Sequence, residues 1–175
     1  MKKLLIASLC MTAFTLTACD KKPNESATAT SETQAPATMT ALSNNVVADI
    51  KSDLEQIESL SNAKAQEALS FQTEVTQAAQ NGDKKALDTV VDKMEKYVDS
   101  FNNDLEALKQ KSTEADVLRD KMKDSNDLGL ELAEAGVETN PDMNKVTELQ
   151  KKAVELQQSI LTDMQALQAK VKTGT

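Results

Sequence analysis

From Leu42 to Val171 the apolar residues recur at alternating steps of three and four, and glycine and proline nearly vanish from the same stretch. Such spacing puts one narrow apolar stripe along a helix, so a chain patterned this way folds as long helices laid side by side. In the first segment the stripe runs Val47, Ile50, Leu54 and Ile57, then Ser61, Lys64, Ala68, Phe71, Val75 and Ala78. Polar Ser61 and Lys64 interrupt it, which predicts a lapse in apolar packing there. Ala, Leu, Lys, Glu, Gln and Asp fill the remaining positions, all but Asp good helix formers. No alternating run of β-branched or aromatic residues suggests a strand.

Two sites break the pattern clearly. Asn81-Gly82-Asp83 offers a glycine for a left-handed helix end and an aspartate to cap the next helix. Gly136 and Thr139-Asn140-Pro141-Asp142 form the second stop and restart, with Pro141 suited to a first helical turn. Between them runs the best stripe in the chain: Leu87, Val91, Met94, Val98, Phe101, Leu105 and Leu108. Beyond Lys109 it degrades to Ser112, Ala115, Arg119 and Met122, and Leu118 drifts off register. A break is expected near 109–116 or 123–129. The last helix carries Val146, Leu149, Ala153, Leu156, Ile160, Leu167 and Val171. The fold expected is all-α: an elongated, coiled-coil-like, up-down antiparallel bundle of three long helices. The alternative has four, with the second helix split near 109–129. Phe71, Tyr97 and Phe101 are the only aromatics after residue 41, so the core should be thin and aliphatic.

The N-terminus follows a different logic. Met1, Lys2 and Lys3 precede the apolar stretch Leu4–Phe14, and small residues lead on to Cys19. That is the layout of a secretory signal, and Leu4–Ala18 falls short of the ~20 apolar residues a spanning helix needs. Leu16-Thr17-Ala18-Cys19 resembles the lipobox of bacterial lipoproteins. The resemblance implies cleavage between Ala18 and Cys19, with covalent diacylglycerol and an N-acyl chain on Cys19 as the only non-protein groups. That chemistry requires a thiolate nucleophile. Cys10, the only other cysteine, lies inside the signal, so the mature chain could form no internal disulfide. Residues 20–40 are rich in Ser, Thr, Ala and Pro with little to bury. They read as a disordered tether spanning on the order of 25 Å. The expected divisions are a signal at 1–18, lipidated cysteine and tether at 19–41, and a helical domain at 42–175.

Charge and residue types narrow the function. Net charge is −8, and loss of Lys2 and Lys3 leaves 18 basic against 28 acidic residues. Such a body disfavours nucleic acid and adsorption onto anionic headgroups, which leaves membrane attachment to the acyl chains. Histidine and tryptophan are absent, which removes Ser-His-Asp and Cys-His catalysis and the usual zinc and haem ligands. Glu55/Glu58 and Glu131/Glu134 sit at helical spacing, where a solvated helix face is the ordinary reading and a carboxylate metal site the exotic one. Met94, Met122, Met143 and Met164 read as gap-fillers of an aliphatic core rather than soft metal ligands. No enzyme and no metal are expected.

Two further resemblances bear on function. Leu161-Thr162-Asp163-Met164-Gln165 resembles the LTxxQ motif of small helical periplasmic chaperones, and Val146-Thr147-Glu148-Leu149-Gln150 is a looser echo. In that family the motif recurs near turns that lead into helices, whereas both copies here fall within one expected helix. Small helical lipoproteins that link covalently to peptidoglycan end in lysine, and this chain ends Lys172-Thr173-Gly174-Thr175, so no such link is expected. The leading expectation is a lipid-anchored envelope protein whose body, facing the periplasm, binds or scaffolds other envelope proteins or a second copy. The alternative is a holdase-type chaperone or envelope-stress protein. Asp20 resembles an inner-membrane retention signal, but Lys21 stands where an acidic or amide residue would strengthen it. The sequence therefore leaves inner against outer membrane open.

Overall fold

A computed structural model describes residues 41–174 of the chain. The signal peptide, Ala18, Cys19, Asp20, Lys21 and the stretch 20–40 lie outside the described residues. Four helices account for nearly all of the rest: α1 Val47–Asn81, α2 Lys84–Ala107, α3 Thr113–Val137 and α4 Met143–Thr173. Each helix packs against its neighbour in sequence, α1 also meets α3 and α4, and α2 and α4 lie diagonally apart. The result is an up-down-up-down bundle. Three long helices, the leading expectation, is thereby corrected to four. The second helix splits at Leu108–Ser112, overlapping the first of the two stretches where a break was expected, and α3 runs on unbroken through 123–129.

The split explains the drifting stripe. Leu118 is out of register with α2 because it belongs to a new helix, where it is fully buried with Ala115. At ~1.5 Å per residue α2 and α3 are each about 37 Å long, against about 52 Å for α1. Leu108 is extended (φ −64°, ψ 128°) and ends α2 without glycine. Ser112 then caps α3, its Oγ accepting from the Ala115 amide at 3.4 Å, with Glu114 and Asp116 in the first turn. Those carboxylates complement the positive end of the helix dipole.

The two outer turns follow local rules. Gly82 takes φ 65°, its amide donates to the Ala79 carbonyl at 3.2 Å, and the Asp83 amide donates to Ala78 at 3.1 Å. This paired closure uses the left-handed conformation that glycine adopts without penalty. Asp83 then accepts from the Ala86 amide at 2.9 Å and caps α2. Asp142 caps α4, accepting from Asn144 at 2.9 Å and Lys145 at 3.3 Å. Pro141 therefore sits just before the cap rather than in the first helical turn.

The core is thin and falls into three clusters. Ile50, Leu54 and Ile57 of α1 meet Ala115 and Leu118 of α3 and Ile160, Met164 and Leu167 of α4. Farther along, Phe71 packs with Val90, Met94, Tyr97, Val98, Phe101 and Leu105 of α2. A small third cluster, Ala135, Val146 and Leu149, joins α3 to α4. Each buried aliphatic side chain of this kind is worth roughly 1.5–3 kcal/mol. The three described aromatics form one edge-on and tilted cluster, with ring centroids 5.3 Å apart for Phe71–Tyr97 and 5.9 Å for Tyr97–Phe101.

Where the α1 stripe turns polar, an ion pair takes its place. Lys64 reaches across to Asp104 Oδ2 at 2.7 Å and Ser100 Oγ at 3.0 Å, with its side chain only 17 % exposed. Beside it the Tyr97 hydroxyl donates to the Lys64 carbonyl at 3.3 Å. Burial, reinforced by the nearby Glu67 charge, pushes that phenol up to about 12.

Candidate functional site

The first five described residues do not continue α1 backwards. Ser43 pairs with the α2–α3 loop and the chain bends at residues 44–45, at the end of the bundle where α1 and α3 begin and α2 and α4 finish. We call this end the base, and the α1–α2 and α3–α4 turns the tips. The Ser43 amide donates to the Lys111 carbonyl at 2.7 Å, and the Thr113 amide donates to the Ser43 carbonyl at 2.9 Å. One residue on, Asn45 adopts φ 62°, a left-handed conformation that asparagine tolerates better than most residues. Its amide donates to Glu114 Oε1 at 2.8 Å. Lys170, near the end of α4, donates to the Asn45 side chain and lies 3.5 Å from the same Glu114 oxygen.

At the centre of the base is Asp53, fully buried on α1. Its Oδ2 accepts three hydrogen bonds, from the Lys111 amide at 2.9 Å, the Ser112 amide at 2.7 Å and the Ser112 hydroxyl at 2.7 Å. A carboxylate taken out of water is costly unless donors converge on it, and here an entire loop supplies them. Ser112 is equally buried and has two roles, since the same oxygen caps α3. Burial alone would push the Glu114 carboxyl up. Backbone donors, including the Asn45 amide, and the Lys170 ammonium outweigh it and hold the group below the usual carboxylate range.

The residues singled out from sequence do not converge on a site. Glu55 lies beside Lys51 and Glu131 beside Lys145, both pairs on exposed surface. Glu58 instead accepts from Gln168 of α4 at 3.0 Å. Among the described residues no group of three or more Asp, Glu, Cys or His is placed to hold a metal. Met94 and Met164 are buried in separate clusters, and Met143 is 53 % exposed. Both LTxxQ-like stretches lie within α4: Leu161-Thr162-Asp163-Met164-Gln165 sits deep inside it, whereas the looser Val146-Thr147-Glu148-Leu149-Gln150 begins three residues after its first residue, Met143. The residues that sequence reasoning missed are Asp53 and Ser112. Asp53 sits one position off the α1 stripe and differs in no visible way from exposed aspartates elsewhere. For Ser112 a signal existed: Ser followed by Glu114 and Asp116 is the composition of a helix start.

No described helix is long and apolar enough to cross a membrane. No curated protein and no solved structure matches the chain. A family model described as "Uncharacterised lipoprotein PM1805" matches residues 51–172, which is most of the helical body and well over half of the chain. The protein thus belongs to this lipoprotein family, and its place is at a membrane of the bacterial envelope, held there by lipid.

Proposed function

We propose that the helical body is a non-catalytic binding or scaffolding module that faces the periplasm and engages another envelope protein or a second copy of itself. The observation that carries this reading is the use made of the buried and half-buried polar side chains between helices. Asp53 ties α1 to the α2–α3 loop, Lys64 ties α1 to α2, and Lys121 ties α3 to α4 through Asp163 at 2.5 Å and Ser159 at 2.9 Å. Groups that could do chemistry are thus consumed in joining helices. Meanwhile Leu69, Met143 and Val154 remain on the surface, the last 66 % exposed. Exposed apolar side chains on long helices are the ordinary material of helix-to-helix recognition. Photo-crosslinkers placed at Leu69 and Val154 in living cells test the reading, with sedimentation of the purified protein beside them. Discrete crosslinked species are expected. A concentration-independent monomer that yields no crosslink from either position overturns it.

A further inference from the structure

We propose that the base of the bundle is itself a membrane-contacting surface, docking on anionic phospholipid headgroups through Lys109, Lys111 and Lys172. This rests on the protein's being lipid-anchored. The connectivity comes first: the chain that precedes Ala41 enters the body alongside Lys111–Thr113, so the base is the end joined to the N-terminal segment. Charge comes second. Most carboxylates at this end are already engaged: Asp53 by the loop donors, Glu55 by Lys51, Glu106 by Lys123, Glu114 by Lys170, and Asp116 and Asp120 by Arg119. Half-buried Asp49, and exposed Asp99 two turns up α2, have no cation within ion-pair distance among the described residues. Lys109, Lys111 and Lys172 are all exposed, and none has a carboxylate within ion-pair distance among the described residues. Lys111 meets only a hydroxyl, Ser52 Oγ at 3.3 Å. At the tips, exposed Glu134 and Glu138 have no lysine or arginine paired to them among the described residues, and one exposed lysine, Lys85, is likewise without a carboxylate at ion-pair distance.

Apolar contact comes third. Leu42 and Val46 are 39 % and 43 % exposed, and they flank the Ser43 segment bonded to Lys111. Cationic side chains around exposed aliphatic ones are the composition that settles at a headgroup boundary. The excess of 28 acidic over 18 basic residues after loss of Lys2 and Lys3 opposes adsorption of a free body, but its field is screened within about 10 Å at 0.1 M salt. What a headgroup layer meets is the nearest face. A chain already anchored beside that layer also docks at high effective concentration, so a weak attraction is enough to orient it.

The test uses the mature acylated protein in vesicles, either of phosphatidylcholine alone or with about one third phosphatidylglycerol. A fluorophore is attached at Val117→Cys near the base or at Asn140→Cys at a tip, and is read by quenching from nitroxide-labelled headgroups. In the anionic vesicles the Val117 probe should be quenched about twofold or more above its value in neutral vesicles, while the Asn140 probe changes little. The excess should vanish as salt shortens the Debye length from about 30 Å at 0.01 M to about 3 Å at 1 M. Lys109→Glu, Lys111→Glu and Lys172→Glu together should abolish it with helicity unchanged. Flotation retained with quenching indifferent to lipid charge, or an excess that survives high salt, overturns the docking alone. Loss of flotation in both vesicle types removes the anchor and the docking with it.

Discussion

The tips and the base of this bundle do the same job, turning one helix into the next, by opposite means. At the tips everything needed lies within a few residues: Gly82 closes α1, Asp83 opens α2 and Asp142 opens α4. At the base the turn between α2 and α3 is fixed by Asp53, some 58 residues away in sequence, and by a segment that precedes α1. Local turns are independent of each other. The base is a single polar assembly that joins α1, α3, α4 and the α2–α3 loop.

The sharpest way to break this contrast is Asp53→Ala. It strands two amides and a hydroxyl in a buried site, and a cost of about 3 kcal/mol is expected by urea denaturation. Asp53→Asn keeps one acceptor oxygen and should lose clearly less. If both variants unfold like the parent, the base is not the keystone described. A smaller effect is expected at the tips, where Asp83→Ala or Asp142→Ala should each cost about 1 kcal/mol. Combined, the two should add, because they share no partner; strong coupling would erase the contrast from the other side.

Alkali supplies a third measurement. Tyr97 is the only tyrosine, so its ultraviolet titration is unambiguous. Its pKa is raised on folding, from 10.0 to about 12. Its contribution is therefore fully present below pH 10 and is lost as pH rises through about 12. Tyr97→Phe should remove that alkaline loss while leaving the base intact. The smallest effect is expected in acid. Glu114 is depressed on folding, so its contribution is present above the unfolded carboxylate value and lost as pH falls through the lower folded one. Protection of the Asn45 amide, which donates to this carboxylate, should fall there in hydrogen exchange.

The same contrast governs how far the fold could be read from sequence. The α1 stripe and the Gly82-Asp83 turn rest on neighbours within one or two turns of helix, and each stands where the spacing put it; the restart after Gly136 was legible too, though the cap is Asp142 and Pro141 lies outside the helix. The number of helices did not follow so directly. The α2–α3 break carries no glycine or proline, and the residue that enforces it sits on another helix. Its traces were the register slip at Leu118 and the Ser112 cap. Nothing distinguishes Asp53 from a solvated aspartate until the loop is folded over it. The entry at residues 43–45 was equally hidden, because the Ser43 bonds are to backbone atoms and the Asn45 partners, Glu114 and Lys170, lie far away in sequence.

That entry has a mechanical meaning. Any pull on the N-terminal chain arrives first at Ser43, whose amide and carbonyl are both bonded to the α2–α3 loop. Force is therefore diverted into the loop and, through Asp53, into the buried part of α1, before it can peel the first helical turn. A tug from the anchor loads the base as a unit and leaves the far ends of both hairpins slack.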